Sequence, residues 1–253
     1  MPELSVVGLH AHRGGQIRNE PELMAFVSEV LAFAEQLEGI VPTPLELLNF
    51  GGSLGLATSE HLDDRARRRN ELFHVDVPTP AAAEALNIER YLELLVGAVD
   101  EHYRRLSKPR PRIFLEPGRA MTGNAQLLLT SVLSTKENAG TTCAILDAGI
   151  NLAESVKSEY HQVFSVTRHR EARSRVHTLV GPICSPGDTL YPALRLPPLV
   201  EGDHLAIMDA GAYFVPFATS FSFPRPAIVM LDDGQAALLR RRETFEDLCS
   251  YDR

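Results

Sequence analysis

The sequence predicts an α/β domain followed by a mostly antiparallel β domain, because the spacing of apolar residues changes partway along the 253 residues. Up to about residue 123, short apolar runs alternate with segments in which apolar residues recur every three or four positions, which is typical of a parallel sheet with helices. Beyond residue 123 the runs are short, rich in Val, Ile, Leu and Thr, and separated by Pro, Gly and Asp. That pattern indicates a β domain. We therefore predict two domains, residues 1–123 and 124–253.

Two helices and three strands account for the first domain. Apolar residues recur at helical spacing from Pro21, a residue suited to a first helical turn, and stop at Gly39, a natural C-terminal cap. The same spacing predicts a second helix from Ile88 to Leu106. Short apolar runs predict strands at Leu4–His10, Leu45–Phe50 and Ile113–Leu115.

Five short runs predict the strands of the second domain. The turn Asp232-Asp233-Gly234 follows the last run and predicts a hairpin. The five runs are Leu127–Thr135, Thr142–Leu146, Val176–Val180, His204–Met208 and Ala227–Leu231.

Composition argues against several classes of partner. With a net charge of -8 and a pI near 5.6, the surface would repel nucleic acid and anionic membranes. The basic cluster Arg65–Arg69 follows two aspartates and is interpreted as a solvated loop or helix end. Three cysteines, far apart and never in a CxxC spacing, suggest neither disulfides nor zinc. No apolar run approaches the roughly 20 residues of a membrane span. We expect a soluble, cytoplasmic protein.

Polar clusters follow all three predicted strands of the first domain. His10 and His12 come after the first strand, the glycine run Gly51–Gly55 after the second, and Glu116–Arg119 after the third. The carboxyl ends of parallel strands lie on one rim. Glycine amides and an arginine on such a rim can bind a phosphate. Their combination on one rim predicts a phosphorylated ligand, and the alternative is that the glycines form only tight turns and that Arg119 and Glu116 form a structural ion pair.

A metal site is the alternative use of the two histidines. His10 and His12 are two residues apart, so both side chains point to the same face of a strand. A catalytic metal needs a third ligand, and only Glu116 is a candidate. We predict no metal, and measuring the zinc content of the protein would discriminate metal-dependent hydrolysis from the other readings.

Seven collinear segments make the sequence similar to a known family. Between Val6 and Leu248 it resembles the diaminopimelate and ornithine decarboxylase family, whose members use pyridoxal 5'-phosphate and have an alanine-racemase-like fold. The segments are VVGLHAHRGGQI, LLNFGGSLG, IFLEPGRAMTGNAQLLLTSVLSTKE, CAILDAGIN, GPICSPGDTL, EGDHLAIMDAGAYFVPFATSFSFPRPAIVML and RRRETFEDL. The resemblance implies that residues 1–123 form about half of a (β/α)8 barrel.

The resemblance also implies roles in cofactor binding. His12 would stack on the pyridine ring, and Glu116 would meet the pyridine nitrogen, where a carboxylate stabilises the protonated ring. The remaining residues would hold the phosphate or line its loop: Gly51, Gly52, Ser53, Gly118, Arg119 and Tyr213.

Four further positions fall on the substrate side of the resemblance. Cys184 would return a proton to the substrate carbon after decarboxylation, and would reach the pocket of a partner subunit across a dimer interface. Asp147, Ser185 and Asp188 lie at neighbouring family positions. A homodimer is therefore expected.

The lysine that binds the cofactor as a Schiff base in this family has no match here. The three lysines, Lys108, Lys136 and Lys157, lie elsewhere in the pattern. We expect the chain to be a fragment, a truncated reading frame or one piece of a split protein, which becomes active when it pairs with a lysine-bearing amino-terminal segment. The alternative is a non-catalytic remnant that binds a phosphorylated ligand or dimerises with an intact paralogue.

Three departures concern the ligands. Gly15 replaces a family serine near the phosphate, Ser185 stands where an acid would engage a distal amine, and Leu194 stands where an arginine is expected. Free diaminopimelate is therefore disfavoured. We expect the substrate to be a free basic amino acid or an amino acid tethered to a carrier protein.

Overall fold

The computed structural model describes residues 4–56, 64–76, 86–138 and 140–252. Contacts group them into two compact units, the described parts of Met1–His61 with Pro80–Gln126, and those of Leu62–Thr79 with Leu127–Arg253. The elements in chain order are β1 (Gly8–His10), α1 (Glu20–Glu38), β2 (Leu47–Asn49), α2 (Asp64–Phe73), α3 (Ile88–Arg105), β3 (Arg112–Phe114), α4 (Gly118–Thr122), β4 (Leu128–Asn138), β5 (Thr141–Leu146), α5 (Ile150–Ala153), β6 (Val163–Ser165), β7 (Arg175–Val180), β8 (Thr189–Leu196), β9 (His204–Ile207), α6 (Phe214–Phe217), β10 (Ile228–Asp232), β11 (Gln235–Arg240) and α7 (Phe245–Leu248), with 3-10 turns at Gly123–Ala125 and Glu154–Lys157.

Helices α1 and α3 confirm the two helices predicted in the first domain. The Asn19 side chain accepts a hydrogen bond from the Glu22 amide at 2.9 Å, which caps the first turn of α1, and Gly39 caps its end. Asn87 caps α3 in the same way. No helix among the described residues is long and apolar enough to cross a bilayer. The buried face of α1 consists of Leu23, Phe26, Val27, Val30, Leu31 and Ala34.

Strands β1, β2 and β3 form a parallel sheet in that order. Leu9, Leu48 and Ile113 are in register and belong to the core that α1 and α3 cover. The next residue of each strand points to the opposite face. There His10 is exposed and Phe114 is 45% exposed. Within the described residues, this sheet therefore has one buried and one open face.

The first strand is shorter than predicted. The apolar run Leu4–His10 predicted a strand along its whole length, but β1 begins at Gly8, opposite Leu47 of β2. Leu4 and Val6 are 74% and 45% exposed. The strand begins at Gly8 because β2, its partner among the described residues, begins at Leu47, which lies opposite Gly8.

The second unit contains a six-stranded mixed sheet in the order β6, β9, β4, β5, β7, β8. Four of its five neighbouring pairs are antiparallel, and β5 and β7 are parallel. Its core includes the buried side chains Val132, Leu146, Leu179, Leu205 and Ile207.

Strands β10 and β11 confirm the predicted hairpin. Asp232 pairs with Gln235, so Asp233 and Gly234 form a two-residue turn. Their φ angles, 44° and 75°, are both positive, which a type I′ turn requires.

The elements of the second unit that the sequence did not predict include β6, β8 and α2. Strand β6 has only three residues. Strand β8 contains Pro192, which is tolerated because β8 lies at the edge of the sheet. The basic cluster Arg65–Arg69 lies at the amino end of α2, which agrees with the helix end among the two expected alternatives. Helix α2 gave no signal because its sequence has no continuous apolar stripe.

Candidate functional site

The loops after β1, β2 and β3 meet at the carboxyl edge of the parallel sheet. Backbone pairing continues past the strands, since the Ala11 amide donates to the Asn49 carbonyl at 2.8 Å and the Glu116 amide donates to the Gly51 carbonyl at 2.8 Å. The structure thus brings together the polar clusters predicted to share one rim.

The His12 ring lies directly against the glycine loop. The Gly52 amide donates to His12 Nδ1 at 3.2 Å. A Cβ at Gly51, where φ is +62°, would lie 2.6 Å from the same nitrogen, and a Cβ at Gly52 would lie 2.5 Å from the Glu116 carbonyl oxygen. Glycine at both positions is therefore needed for this close approach.

Glu116 is held by a residue that the sequence analysis missed. The Asn49 side-chain amide donates to Glu116 Oε1 at 2.8 Å, and Asn49 Oδ1 accepts from the Gly51 amide at 2.9 Å. His10 Nε2 lies 3.6 Å from Glu116 Oε1. The signal that could have found Asn49 is its position, as a polar residue near the end of the buried run Leu45–Phe50.

The glycine loop offers fewer free amides than predicted. The Gly51 and Gly52 amides already donate to Asn49 and His12, so a phosphate would have to displace these bonds. The Ser53 hydroxyl is buried and has no hydrogen-bond partner among the described residues. Because buried polar atoms are normally bonded, this hydroxyl suits an oxygen of a bound anion.

Gly118 and Arg119 follow Glu116 directly and begin α4. The Gly118 amide donates to the Glu116 carbonyl at 2.8 Å. Arg119 is half-buried, and its guanidinium can donate two parallel bonds to a phosphate. Together with the glycine cradle, the exposed carboxylate and the Ser53 hydroxyl, these residues fit an aromatic ring that carries a phosphate.

In the second unit, Cys184 lies in the loop 181–188 between β7 and β8. Its side chain is exposed, as is Ser185, whose hydroxyl accepts from the Gly187 amide at 3.2 Å. Asp188 differs, since it is 2% exposed and both carboxylate oxygens accept hydrogen bonds from backbone amides. A direct contact between Asp188 and a ligand would require these bonds to open.

Asp147 lies just after β5 and is exposed. Its Oδ1 accepts from the Thr130 hydroxyl at 2.6 Å and from the Ser131 amide at 2.8 Å. The bond between Asp188 and the Ile150 amide joins the turn after Asp147 to the Cys184 loop. Among the predicted substrate residues, the structure therefore links these two segments.

Tyr213 adopts an unusual backbone conformation at the start of α6. Its φ is 71°, and its ring stacks on Phe217 with the centroids 5.5 Å apart. At 40% exposure it is not a core residue. Left-handed backbone is uncommon for an aromatic residue and often marks functional positions.

Ser155, Glu159 and His161 also approach one another, but not as a catalytic triad. The Ser155 hydroxyl and Glu159 Oε2 both contact His161 Nε2, at 3.4 and 3.7 Å. Nδ1 bonds instead to the Met208 carbonyl, and His161 is fully buried. A triad needs nucleophile and acid on different ring nitrogens, so this cluster does not support serine hydrolase chemistry.

The two rim histidines do not converge on a common point for a metal. His10 Nε2 faces Glu116, whereas His12 Nδ1 accepts from Gly52. In the part of the chain that the structure describes, no three His, Cys, Asp or Glu side chains form a group that could hold a metal ion.

The chain is similar to known proteins over almost its whole length. The model of a family described as pyridoxal-dependent decarboxylase, C-terminal sheet domain, matches residues 23–211. A diaminopimelate decarboxylase from Methanothermobacter thermautotrophicus is 31% identical over 245 residues, which are 96% of this chain and 52% of the relative. The diaminopimelate decarboxylase of Bacillus subtilis is 28% identical over 253 residues, which are 98% and 53% of the two chains.

A solved structure is similar over the same extent. Diaminopimelate decarboxylase from M. jannaschii in co-complex with L-lysine is 25% identical, with a TM-score of 0.72 over 98% of this chain and 52% of that one. The chain thus spans about half the length of the relatives it matches. From the family match over residues 23–211 and the agreement in structure, the chain belongs to the pyridoxal-dependent decarboxylase family.

Proposed function

We propose that this chain supplies cofactor-binding and substrate-side residues to a pyridoxal-phosphate-dependent amino-acid decarboxylase. The observation that carries the proposal is the network at the carboxyl edge of β1–β3, in which Asn49 holds Glu116 and the glycine loop holds His12. Pyridoxal phosphate, when bound, draws electrons from the carbon that loses carbon dioxide. The network presents a flat ring and a carboxylate, which are the groups that a protonated pyridine needs.

Each residue of the rim has a defined task in this proposal. Glu116 accepts a hydrogen bond from the protonated pyridine nitrogen, and Asn49 keeps its carboxylate oriented. The His12 imidazole would stack on the pyridine ring. The Ser53 hydroxyl and Arg119 would bind the phosphate, with Gly118 in the same turn.

We further propose that the first domain, residues 1–123, is half of a (β/α)8 barrel. Three parallel strands covered by helices on one face and open on the other support this assignment. Within the described residues, β1 and β3 each pair on one side only. Such edges suit pairing with further parallel strands. Residues 124–253 form the β domain.

The covalent lysine of such an enzyme comes, in this proposal, from outside the 253 residues. Lys108 precedes β3, where its ammonium lies 2.5 Å from Glu38 Oε2. Lys108 lies before the amino end of β3, whereas Glu116 follows the carboxyl end of that strand. Lys136 on β4 and Lys157 in the 3-10 turn belong to the second unit.

On the substrate side, Cys184 returns a proton to the carbon once carbon dioxide has left. Its exposure on the loop 181–188 supports a role toward a ligand or a partner subunit, and we assign it to the pocket of a second copy in a homodimer. Ser185 and Asp147 line the distal part of the substrate. Because Ser185 and Leu194 stand where the family has an acid and an arginine, free diaminopimelate is disfavoured, and the substrate is a basic or a carrier-tethered amino acid.

The experiment is complementation with a lysine-bearing half. The chain is co-expressed with the amino-terminal half of the Methanothermobacter relative, and carbon dioxide release is measured with basic and carrier-tethered amino acids. We expect release that depends on both halves and on pyridoxal phosphate. Cys184→Ala should lower kcat about 100-fold or more, as loss of a general acid does, whereas Cys249→Ala should not.

Two outcomes would contradict this function. If the complex binds pyridoxal phosphate yet releases no carbon dioxide from any amino acid, the chain is a non-catalytic binding partner. If release persists unchanged in Cys184→Ala, the proton comes from another group.

A further inference from the structure

We infer that Asp188 is a positioning residue, which fastens the Cys184 loop to the turn that follows Asp147. The geometry of this contact stands on its own, and its consequence for catalysis rests on the proposed function. Asp188 thus acts through Cys184 and not by touching the substrate.

The Asp188 carboxylate joins two separate segments. Its Oδ1 accepts from the Ile150 amide at 2.7 Å, and its Oδ2 accepts from the Ile183 amide at 2.7 Å. Ile183 immediately precedes Cys184, and Ile150 lies three residues after Asp147. Because the carboxylate is only 2% exposed, water competes little for these bonds.

Two glycines make the space that the carboxylate occupies. A Cβ at Gly149 would lie 2.3 Å from Asp188 Oδ1, and a Cβ at Gly181 would lie 2.3 Å from Oδ2. Neither glycine is in the left-handed region, so glycine is required here for space and not for backbone conformation. The site is therefore built around a carboxylate.

The rest of the loop is closed by its own backbone. The Gly181 amide donates to the Asp188 carbonyl at 2.8 Å, and the Asp188 amide donates to the Ser185 carbonyl at 3.0 Å. These bonds shape the loop but leave it anchored only at its base. The Asp188 side chain adds the connection to a second segment, which fixes the place of Cys184 relative to Asp147.

This connection matters because proton transfer depends on distance. A general acid must come within about 3 Å of its target, and an error of about 1 Å can cost roughly 100-fold in rate. Without the carboxylate, the exposed Cys184 thiol would sample more orientations, because the backbone bonds of the loop 181–188 alone do not restrict it.

Amide hydrogen exchange on the chain by itself tests the contact without cofactor or partner. In the unmodified chain, the Ile150 and Ile183 amides should exchange at least about tenfold more slowly than the exposed Cys184 amide. Asp188→Asn and Gly181→Ala should both accelerate these two amides about tenfold or more, because each disrupts the same carboxylate contact. Gly187→Ala is the matched control, since its Cβ would lie at an ordinary 3.4 Å from the Ser185 hydroxyl.

The exchange data can overturn the contact in two ways. Fast exchange of Ile150 and Ile183 in the unmodified chain would contradict it, even if both variants fail to fold. Acceleration spread evenly over β4 and β5 in the variants would show a general loss of stability and not a local anchor.

A double-mutant cycle in the complemented enzyme tests the catalytic consequence. Asp188→Asn should lower kcat and leave pyridoxal phosphate affinity unchanged, and it should add no further loss in the Cys184→Ala background. Multiplicative losses would contradict action through Cys184. Absence of all activity would count against the proposed function alone, and the exchange result then decides the anchoring role.

Discussion

In each of the two clusters of predicted site residues, one side chain holds the neighbouring groups in place. Asn49 holds Glu116 through its amide group and the glycine loop through its oxygen, so one residue orients a carboxylate and a backbone turn. Asp188 similarly binds two amides from separate segments. In each case a charged or amide side chain with both polar atoms engaged provides rigidity that a loop otherwise lacks.

The ion pair of Glu243 with Arg225 predicts how the stability of the protein depends on pH. The Arg225 guanidinium donates to Oε1 at 2.6 Å, and this bond, followed by one from the Arg225 amide, lowers the pKa of Glu243 from its ordinary 4.5 to about 2. Because the folded-state pKa is the lower one, protonation favours unfolding. The stabilising effect is complete above pH 4.5 and disappears as the pH falls toward about 2.

Glu243→Gln should therefore lower Tm above pH 4.5 and flatten the decline of Tm between pH 4.5 and about 2. Thermal unfolding monitored by circular dichroism across this range measures the effect, with the exposed Glu201→Gln as control. An unchanged slope in Glu243→Gln would contradict the role of the ion pair.

At the scale of elements, α2 and the residues after it cover an exposed sheet edge. Strand β8 is the last strand of the six-stranded sheet, and its backbone would otherwise be open to pairing with another chain. Asn70 donates to the Ala193 carbonyl at 2.7 Å, and the Arg195 amide donates to Asp76 Oδ1 at 2.9 Å. The side chains of Asn70 and Asp76 thus bind backbone groups of β8 that a neighbouring strand would otherwise use.

Asn70→Ala tests this covering role. Asn70 is 7% exposed and also donates to the Val75 carbonyl at 2.9 Å, so the substitution leaves two carbonyls without a donor. We expect a loss of about 1–3 kcal/mol in the free energy of unfolding. Urea unfolding measures it, with the exposed Arg68→Ala as control. Equal stability of both variants would show that the two hydrogen bonds of Asn70 do not stabilise this unit.

Across the whole molecule, the elements that carry a local signal in the sequence were predicted: α1 and α3 bury a regular apolar face, and the exposed hairpin β10–β11 contains a turn pair. Helices α1 and α3 and the hairpin β10–β11 followed from spacing, caps and a turn pair. Strand β8 did not, because Pro192 interrupts its pattern, and α2 did not, because polar side chains such as Asn70 bind it to the sheet and its sequence has no apolar stripe.

In the candidate site, too, some features could be predicted from the sequence and others could not. Position after a strand was enough to predict that His12, the glycine loop and Glu116 would meet on one rim. The partners of the Gly51 and Gly52 amides could not be predicted, because they depend on three-dimensional contacts, one of them to a residue 40 positions away. Such contacts leave no local pattern in a sequence.

Equilibrium dialysis of the chain with pyridoxal phosphate tests the central claim most directly. We expect reversible binding that weakens at least about tenfold in Glu116→Gln and in Arg119→Gln, each of which removes a charge-assisted hydrogen bond. Glu101→Gln on the exposed side of α3 is the matched control and should bind normally. Reduction with borohydride should leave no single lysine modified. Binding that is indifferent to Glu116 and Arg119, or a stable adduct at Lys108, Lys136 or Lys157, would contradict the account.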